Sequence, residues 1–75
     1  MPEIVNVNKL RGKIVEQGIT VEKLASQIGI DRSTLYRKMN NEGESFTIKE
    51  ANLICKALNL NGQEATAIFF SQYVA

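Results

Sequence analysis

The chain has 75 residues, with nine Lys and Arg, eight Asp and Glu, and a formal net charge of +1 at pH 7. A chain of this length is expected to build one small core, and we predict a single domain over residues 1–75. The chain has a single cysteine and no histidine, which excludes a structural zinc site and an internal disulfide. No cofactor is expected. No signal peptide or membrane-spanning run is recognisable, so we expect a cytoplasmic protein with no membrane partner.

The first predicted helix covers about residues 7–17, where Leu10 and Ile14 form an apolar pair at i, i+4. Gly18 is expected to end this helix in the left-handed conformation. Gly12 lies inside the helix and lowers its helix propensity, and the sequence leaves open whether a neighbouring helix packs closely there. Three cations alternate around the helix, a pattern more typical of a solvated face than of a phosphate-binding set: Lys9, Arg11 and Lys13.

A helix, a sharp turn and a second helix are predicted over residues 20–40. Thr20 is placed to cap the first of these helices, and its apolar face consists of Leu24, Ala25 and Ile28. Gly29 can adopt the positive φ of a tight turn without a Cβ penalty. The small side chain of Ala25 suits two helices that cross steeply around so short a turn.

The second helix of this pair is predicted over about residues 32–40. Leu35 and Met39 give it an inward apolar face at i, i+4, and either Asp31 or Ser33 caps it. Its outward face carries Arg32, Thr34, Tyr36 and Arg37. This pattern is typical of a helix-turn-helix whose second helix enters the major groove of DNA.

A polar loop is predicted over residues 40–45, followed by two further helices. Thr47 and Glu50 form a capping box for the fourth helix, and Asn61 and Glu64 form one for the fifth, which extends to about Ser71. The core stripe of the fourth helix is expected to consist of Ile48, Ala51, Ile54 or Cys55, and Leu58. We therefore predict an all-α fold, a compact bundle of five short helices that contains a helix-turn-helix.

Ten residues on or beside the second helix of the motif are candidate DNA contacts: Arg32, Ser33, Thr34, Tyr36, Arg37, Lys38, Asn40, Asn41, Thr47 and Lys49. The two arginines suit bidentate hydrogen bonds to guanine edges, or else form surface pairs with neighbouring acids. Ser33 serves equally well as a cap or as a contact. Tyr36 either meets a thymine methyl or a phosphate, or is partly buried against the loop that follows.

The charge balance bears on this interpretation. Arg32, Arg37 and Lys38 cluster on the DNA-contacting helix, while Glu50 and Glu64 are expected to lie elsewhere. A net charge of only +1 favours a weakly binding monomer that needs a partner subunit, or a surface whose main partner is another protein.

The C-terminal end of the chain is apolar, and one small core does not easily cover all of its large side chains. We expect part of it to form an interface for self-association or for a partner; the alternative is a terminal helix folded onto the core. The residues concerned are Phe69, Phe70, Tyr73 and Val74. Cys55, by contrast, is expected to be a small core residue and not a reactive thiol.

Two runs of this sequence resemble the lambda-repressor-like (Cro/C1-type, XRE-like) helix-turn-helix family: L-A-S-Q-I-G-I-D-R-S-T-L-Y-R-K-M and F-T-I-K-E-A-N-L-I-C-K-A-L-N-L. The ending E-A-T-A-I-F-F resembles a subset of short temperate-phage regulators. The resemblance covers residues 7–70. It implies five helices and binding to double-stranded operator DNA, usually as a homodimer.

Two positions depart from the family pattern. Val21 replaces a glutamine that often contacts the DNA backbone, and Lys38 replaces an apolar residue. We expect Met39 to supply the packing one position later, which leaves Lys38 free to bind a phosphate.

The leading functional hypothesis is a sequence-specific DNA-binding transcriptional regulator, a phage Cro-like or repressor-like protein. The alternative is a protein-interaction module on the same fold, an antirepressor or modulator that binds a second phage regulator protein. An enzyme is not expected, because the sequence has no histidine for general-base chemistry and no glycine-rich phosphate loop.

Overall fold

The computed structural model of the chain describes residues 5–40 and 46–70, and this part of the chain consists of helices and short connections without a strand. The predictions for Asn41, Tyr73 and Val74 lie outside the described residues. In chain order the helices are α1 (Val7–Glu16), α2 (Val21–Ile28), α3 (Arg32–Asn40), α4 (Ile48–Ala57) and α5 (Gly62–Phe69). The prediction of an all-α bundle of five short helices is confirmed.

Side-chain caps begin the helices where the sequence predicts them. The Thr20 hydroxyl accepts a hydrogen bond from the backbone N–H of Lys23 at 3.0 Å. The capping boxes of α4 and α5 are complete, because each N3 glutamate also accepts from the backbone N–H of its cap residue. For α3, the backbone carbonyl of Asp31 accepts from Leu35 at 3.0 Å. Asp31 therefore occupies the cap position, and Ser33 lies inside the helix.

Three of the helices end in the same way. A residue with positive φ closes the helix, and the apolar residue after it donates its backbone N–H to a carbonyl five residues earlier, as in a Schellman motif. The left-handed residues are Gly18, Gly29 and Asn59. The apolar residues that follow them, all half-buried against the core, are Ile19, Ile30 and Leu60. Each turn therefore places one more apolar side chain against the bundle.

The core combines side chains from all five helices. Ala25, only 1% exposed, lies in α2, which packs against both α3 and α4, while α1 packs against α5. The N–H of Asn6, the cap of α1, also donates to the carbonyl of Ile68 in α5 at 2.7 Å. The buried apolar residues are Val5, Leu10, Ile14, Leu24, Ala25, Ile28, Leu35, Met39, Ile54, Leu58, Ile68 and Phe69.

One core prediction for α4 is wrong, and an alternative that the sequence leaves open is resolved. Ile48 is 77% exposed, because it occupies the first position of the helix and borders a surface groove. Ile54, and not Cys55, is the fully buried member of the stripe. Cys55 is half-buried against the core, and this burial raises the pKa of its thiol above the ordinary value of 9.0. Cys55 therefore behaves as a packing residue, as predicted.

Two glycines, one inside α1 and one in the turn after α2, should respond oppositely to substitution by alanine. Apart from its chain neighbours and the backbone of its own helix, no described atom lies within 4 Å of a Cβ built on Gly12. Gly12→Ala should therefore raise the free energy of unfolding by about 0.5–1 kcal/mol through helix propensity. Gly29 has φ +81°, a conformation that strains any residue with a Cβ, so Gly29→Ala should lower the free energy of unfolding by about 1–2 kcal/mol. Urea denaturation followed by circular dichroism measures both changes. Equal effects of the two substitutions on the free energy of unfolding would contradict the left-handed conformation of Gly29.

Candidate nucleic-acid interface

One face of α3 presents five polar side chains to solvent around a shallow surface depression. Their positions follow the i, i+1, i+4, i+5, i+8 pattern of a single helical face. We call this set the recognition stripe: Arg32, Ser33, Tyr36, Arg37 and Asn40. The opposite face of α3 is anchored in the core by Leu35 and Met39, which are 0% and 2% exposed. The buried anchors orient the whole stripe outward.

The two arginines of the stripe differ in their surroundings. The Arg32 guanidinium forms a 3.1 Å ion pair with Glu22 of α2, and both side chains are at least half exposed. An exposed pair of this kind is weak, so Arg32 can exchange Glu22 for another anion. Arg37 is exposed, and within residues 5–40 and 46–70 its guanidinium has no ion-pair partner. Arg37 is therefore the more available of the two cations.

Of the other candidate contacts on α3, Ser33 and Tyr36 belong to the recognition stripe, whereas Thr34 does not. Ser33 is exposed, and Tyr36 is 38% exposed with its ring on the stripe. Thr34, predicted on the outward face, is half-buried and does not line the depression. The stripe therefore contains most, but not all, of the side chains that the sequence places on the outward face.

The expectation that Lys38 is free to bind a phosphate is wrong. Its ammonium donates to both carboxylate oxygens of Glu50 at 2.8 and 2.9 Å, and its side chain is only 12% exposed. Glu50, expected to lie away from this helix, instead links the last turn of α3 to the first turn of α4. The Lys38 nitrogen also lies 5.9 Å from the centre of the Phe46 ring, within cation–π distance.

The two candidate contacts on α4 lie at its N-terminus and are both exposed. Thr47 uses its hydroxyl to cap the helix, accepting from the N–H of Glu50 at 3.0 Å. Lys49 occupies the second position of α4 and projects from the surface. These residues flank α3 without lining the recognition stripe.

Asn40, at the end of the stripe, makes a contact that sequence analysis missed. Its side-chain oxygen accepts a hydrogen bond from the guanidinium of Arg11, on α1, at 3.1 Å. The two residues are 29 positions apart, so no local pattern links them. Their pairing brings a cation from outside the helix-turn-helix to the C-terminal end of the stripe.

A second lysine–glutamate pair ties α1 to α5. The Lys13 ammonium donates to Glu64, the N3 residue of the α5 capping box, and also forms a 3.2 Å ion pair with Glu16. Hydrogen bonds from Lys13 and from the backbone of Asn61 lower the pKa of Glu64 below its ordinary value of 4.5. Lys13 therefore serves the packing of α1 on α5, although the sequence suggests a solvated face.

Most of the described acidic side chains are thus engaged in pairs with cations. Glu50 and Glu64 neutralise lysines at helix junctions, and Glu22 faces Arg32. Arg37 and Arg11 keep their positive charge on the exposed side of α3. A small net charge is therefore compatible with a locally basic surface.

The aromatic residues before the chain end are split between core and surface. Phe69, predicted as an interface residue, is 7% exposed and makes an edge-to-face contact with Phe46, their centroids 6.3 Å apart. Phe70 remains 49% exposed. Phe70 borders an apolar groove of about 140 Å³, which is lined by Val5, Phe46, Thr47, Ile48, Ala51, Phe69 and Phe70. Phe69 is thus a core residue that forms only the floor of this groove.

The pairing of Glu50 predicts a pH dependence. Partial burial alone would raise its pKa, but hydrogen bonds from Lys38 and Thr47 outweigh burial and lower the pKa below its ordinary value of 4.5. The unfolded chain then binds protons more readily than the folded one, so stability should be full above about pH 4.5 and fall as the pH decreases through the folded pKa.

Glu50→Gln should lower the unfolding free energy at neutral pH and make its decline in acid shallower than in the wild type. Urea denaturation at a series of pH values between about 7 and 3 measures this difference. The pH dependence of the unfolding free energy that remains in the variant is assigned in part to Glu64, whose pKa is also lowered. A variant with the wild-type acid slope would contradict the importance of the Lys38–Glu50 pair.

Comparison with known proteins agrees with this geometry. Residues 9–65, more than half of the chain, match the family model of the Cro/C1-type helix-turn-helix DNA-binding domain. No curated protein and no solved structure gives a significant match. Among the described residues, no helix is long and apolar enough to span a membrane, and no group of three or more metal-binding side chains is found.

Proposed function

Because the chain belongs to the Cro/C1-type helix-turn-helix DNA-binding domain family, we propose that it is a sequence-specific transcriptional regulator of the phage Cro-like or repressor-like kind. In this proposal α3 enters the major groove of double-stranded operator DNA. The protein acts in the cytoplasm as a single domain and is not an enzyme.

The recognition stripe is the observation that carries this proposal. Arg32 and Ser33 lie in the first turn of α3, the part of a recognition helix that faces the base edges. An arginine matches the two acceptors of guanine with two parallel hydrogen bonds, and Ser33 can bond to either base or phosphate. Arg37 lies about one turn further along the same face and is available for a second contact.

Substitutions in the stripe test the proposal. Arg37→Ala should weaken binding to a duplex selected by the protein from a random library by about tenfold or more, since a good bidentate contact is worth about 1–3 kcal/mol. Arg32→Ala should cost less, because Glu22 already offsets part of its charge. Fluorescence anisotropy on the selected and on a shuffled duplex separates base preference from general affinity.

Lys56→Ala is the matched control, because it removes an exposed cation from α4 outside the stripe. It should leave affinity and base preference close to wild type. Equal affinity of the wild type and of both arginine variants for the selected duplex would refute the proposed recognition face.

The apolar groove supports a dimer as the DNA-binding form. Ile48 and Phe70 expose apolar surface at its rim, which water covers in a monomer and which a second copy could cover. Two copies would present their α3 helices to successive major grooves, about 34 Å apart on one side of the duplex. Bivalent binding would compensate for the modest charge of each subunit.

The same groove keeps the alternative open that the partner is a different protein. An antirepressor or modulator would use this surface to bind a second phage regulator, and the exposed rim of Ile48 and Phe70 is the observation that favours it. This alternative uses the groove on one side of the molecule and does not require the recognition stripe.

Phe70→Ser distinguishes these uses of the groove. For a homodimer, sedimentation should show that the wild type dimerises at micromolar concentration and that the variant stays monomeric, with weaker binding to the selected duplex. A wild-type protein that is monomeric with and without DNA would exclude the dimer. Capture of a purified second regulator by the wild type, and its loss in the variant, would then support the alternative.

A further inference from the structure

We propose that Arg11, which lies on α1 outside the helix-turn-helix, binds a DNA phosphate beside the C-terminal end of α3. This inference rests on the proposed function, since it assumes that α3 lies in the major groove. It adds to the interface a residue that neither the motif nor the chain order indicates.

The position of Arg11 follows from its contact with Asn40. The guanidinium reaches the side-chain oxygen of Asn40 at 3.1 Å, and both residues are exposed. Asn40 is the last residue of α3 and the last member of the recognition stripe. Arg11 therefore extends the stripe past the end of its own helix.

The distance along α3 suggests what Arg11 meets. Arg32 and Asn40 are eight residues apart, which corresponds to about 12 Å along the helix axis. When the N-terminal turn of a recognition helix faces the bases, its C-terminal end lies nearer to the groove wall. The groove wall is formed by phosphates, so the expected partner at this end is a backbone oxygen.

The hydrogen-bonding chemistry of the pair suits a phosphate. The contact engages the side-chain oxygen of Asn40, so the groups of the pair that remain to meet an incoming group are largely N–H donors. A guanidinium together with an amide NH2 offers positive charge and several donors, which suits an anion. Bases carry mixed donors and acceptors, whereas a phosphate carries acceptors alone.

The electrostatics of the C-terminal end of α3 also favour a cation at the position of Arg11. The C-terminal end of α3 carries the negative end of its dipole and would repel a phosphate unless cations lie close. The last turn of α3 has Arg37 and Lys38, but the Lys38 charge is paired with Glu50. Arg11 adds a positive charge next to the terminal residue, where the repulsion is strongest.

The test measures binding of the wild type, Arg11→Ala, Arg11→Lys and Lys9→Ala to the selected duplex and to its shuffled counterpart over a salt series. Arg11→Ala should weaken binding to both duplexes about equally, by roughly three- to tenfold, and reduce the slope of log K against log salt by about 1. Arg11→Lys should restore most of the slope. Lys9→Ala removes an exposed cation two residues away on α1 and should keep the wild-type slope.

Single methylphosphonate substitutions then locate the phosphate. One neutralised position should weaken the wild type and have no further effect on Arg11→Ala, because both changes remove the same contact. Unchanged slope in Arg11→Ala, or additive losses at every phosphate position, would overturn the role of Arg11. Failure of the wild type to prefer the selected duplex would instead overturn the proposed function, so the two failures are distinguishable.

A structural role for Arg11 alone predicts a different result. If its hydrogen bond to Asn40 serves only to hold α1 against α3, Arg11→Ala should lower the unfolding free energy and leave the salt slope unchanged. Urea denaturation of the same four proteins, compared with their salt slopes, decides between these outcomes.

Discussion

The hydrogen-bonded pair of Lys38 and Glu50 sets how α3 is presented. Met39 and Leu35 hold the buried side of α3, but apolar contacts alone allow a helix to rotate or slide slightly. The two hydrogen bonds from Lys38 to one carboxylate add a directional constraint at the C-terminal turn. Because Glu50 is itself fixed by the capping box with Thr47, the constraint reaches α4 and orients the recognition stripe relative to the core.

The molecule uses this device twice. In both α4 and α5 the N3 glutamate of a capping box also binds a lysine from another helix, Lys38 for Glu50 and Lys13 for Glu64. A side chain that is already ordered by its cap loses less conformational entropy when it accepts a second partner. The arrangement also concentrates acidic charge at helix junctions. It leaves the surface of α3 basic in a chain whose net charge is only +1.

Local signals in the sequence predicted the helices, the caps and the glycine turn correctly, because each depends on residues three to five positions apart. The recognition stripe was largely predictable from the spacing of Leu35 and Met39. The side-chain pairs that complete the site were not predictable from local patterns. Lys38 and Glu50 are 12 positions apart, and Arg11 and Asn40 are 29 positions apart. The exposure of Ile48 was misjudged for a related reason: helical spacing gives a face, but not how far the neighbouring helices cover it.

An NMR titration of the ¹⁵N-labelled protein with its selected duplex tests directly whether α3 recognises DNA. Amide shifts map the DNA-facing surface residue by residue. Recognition through α3 predicts that the largest changes lie along α3 from Arg32 to Asn40 and at Arg11, with little change at the C-terminal end of α4 around Lys56. Changes confined to the apolar groove, with α3 unaffected, would contradict recognition of DNA through α3.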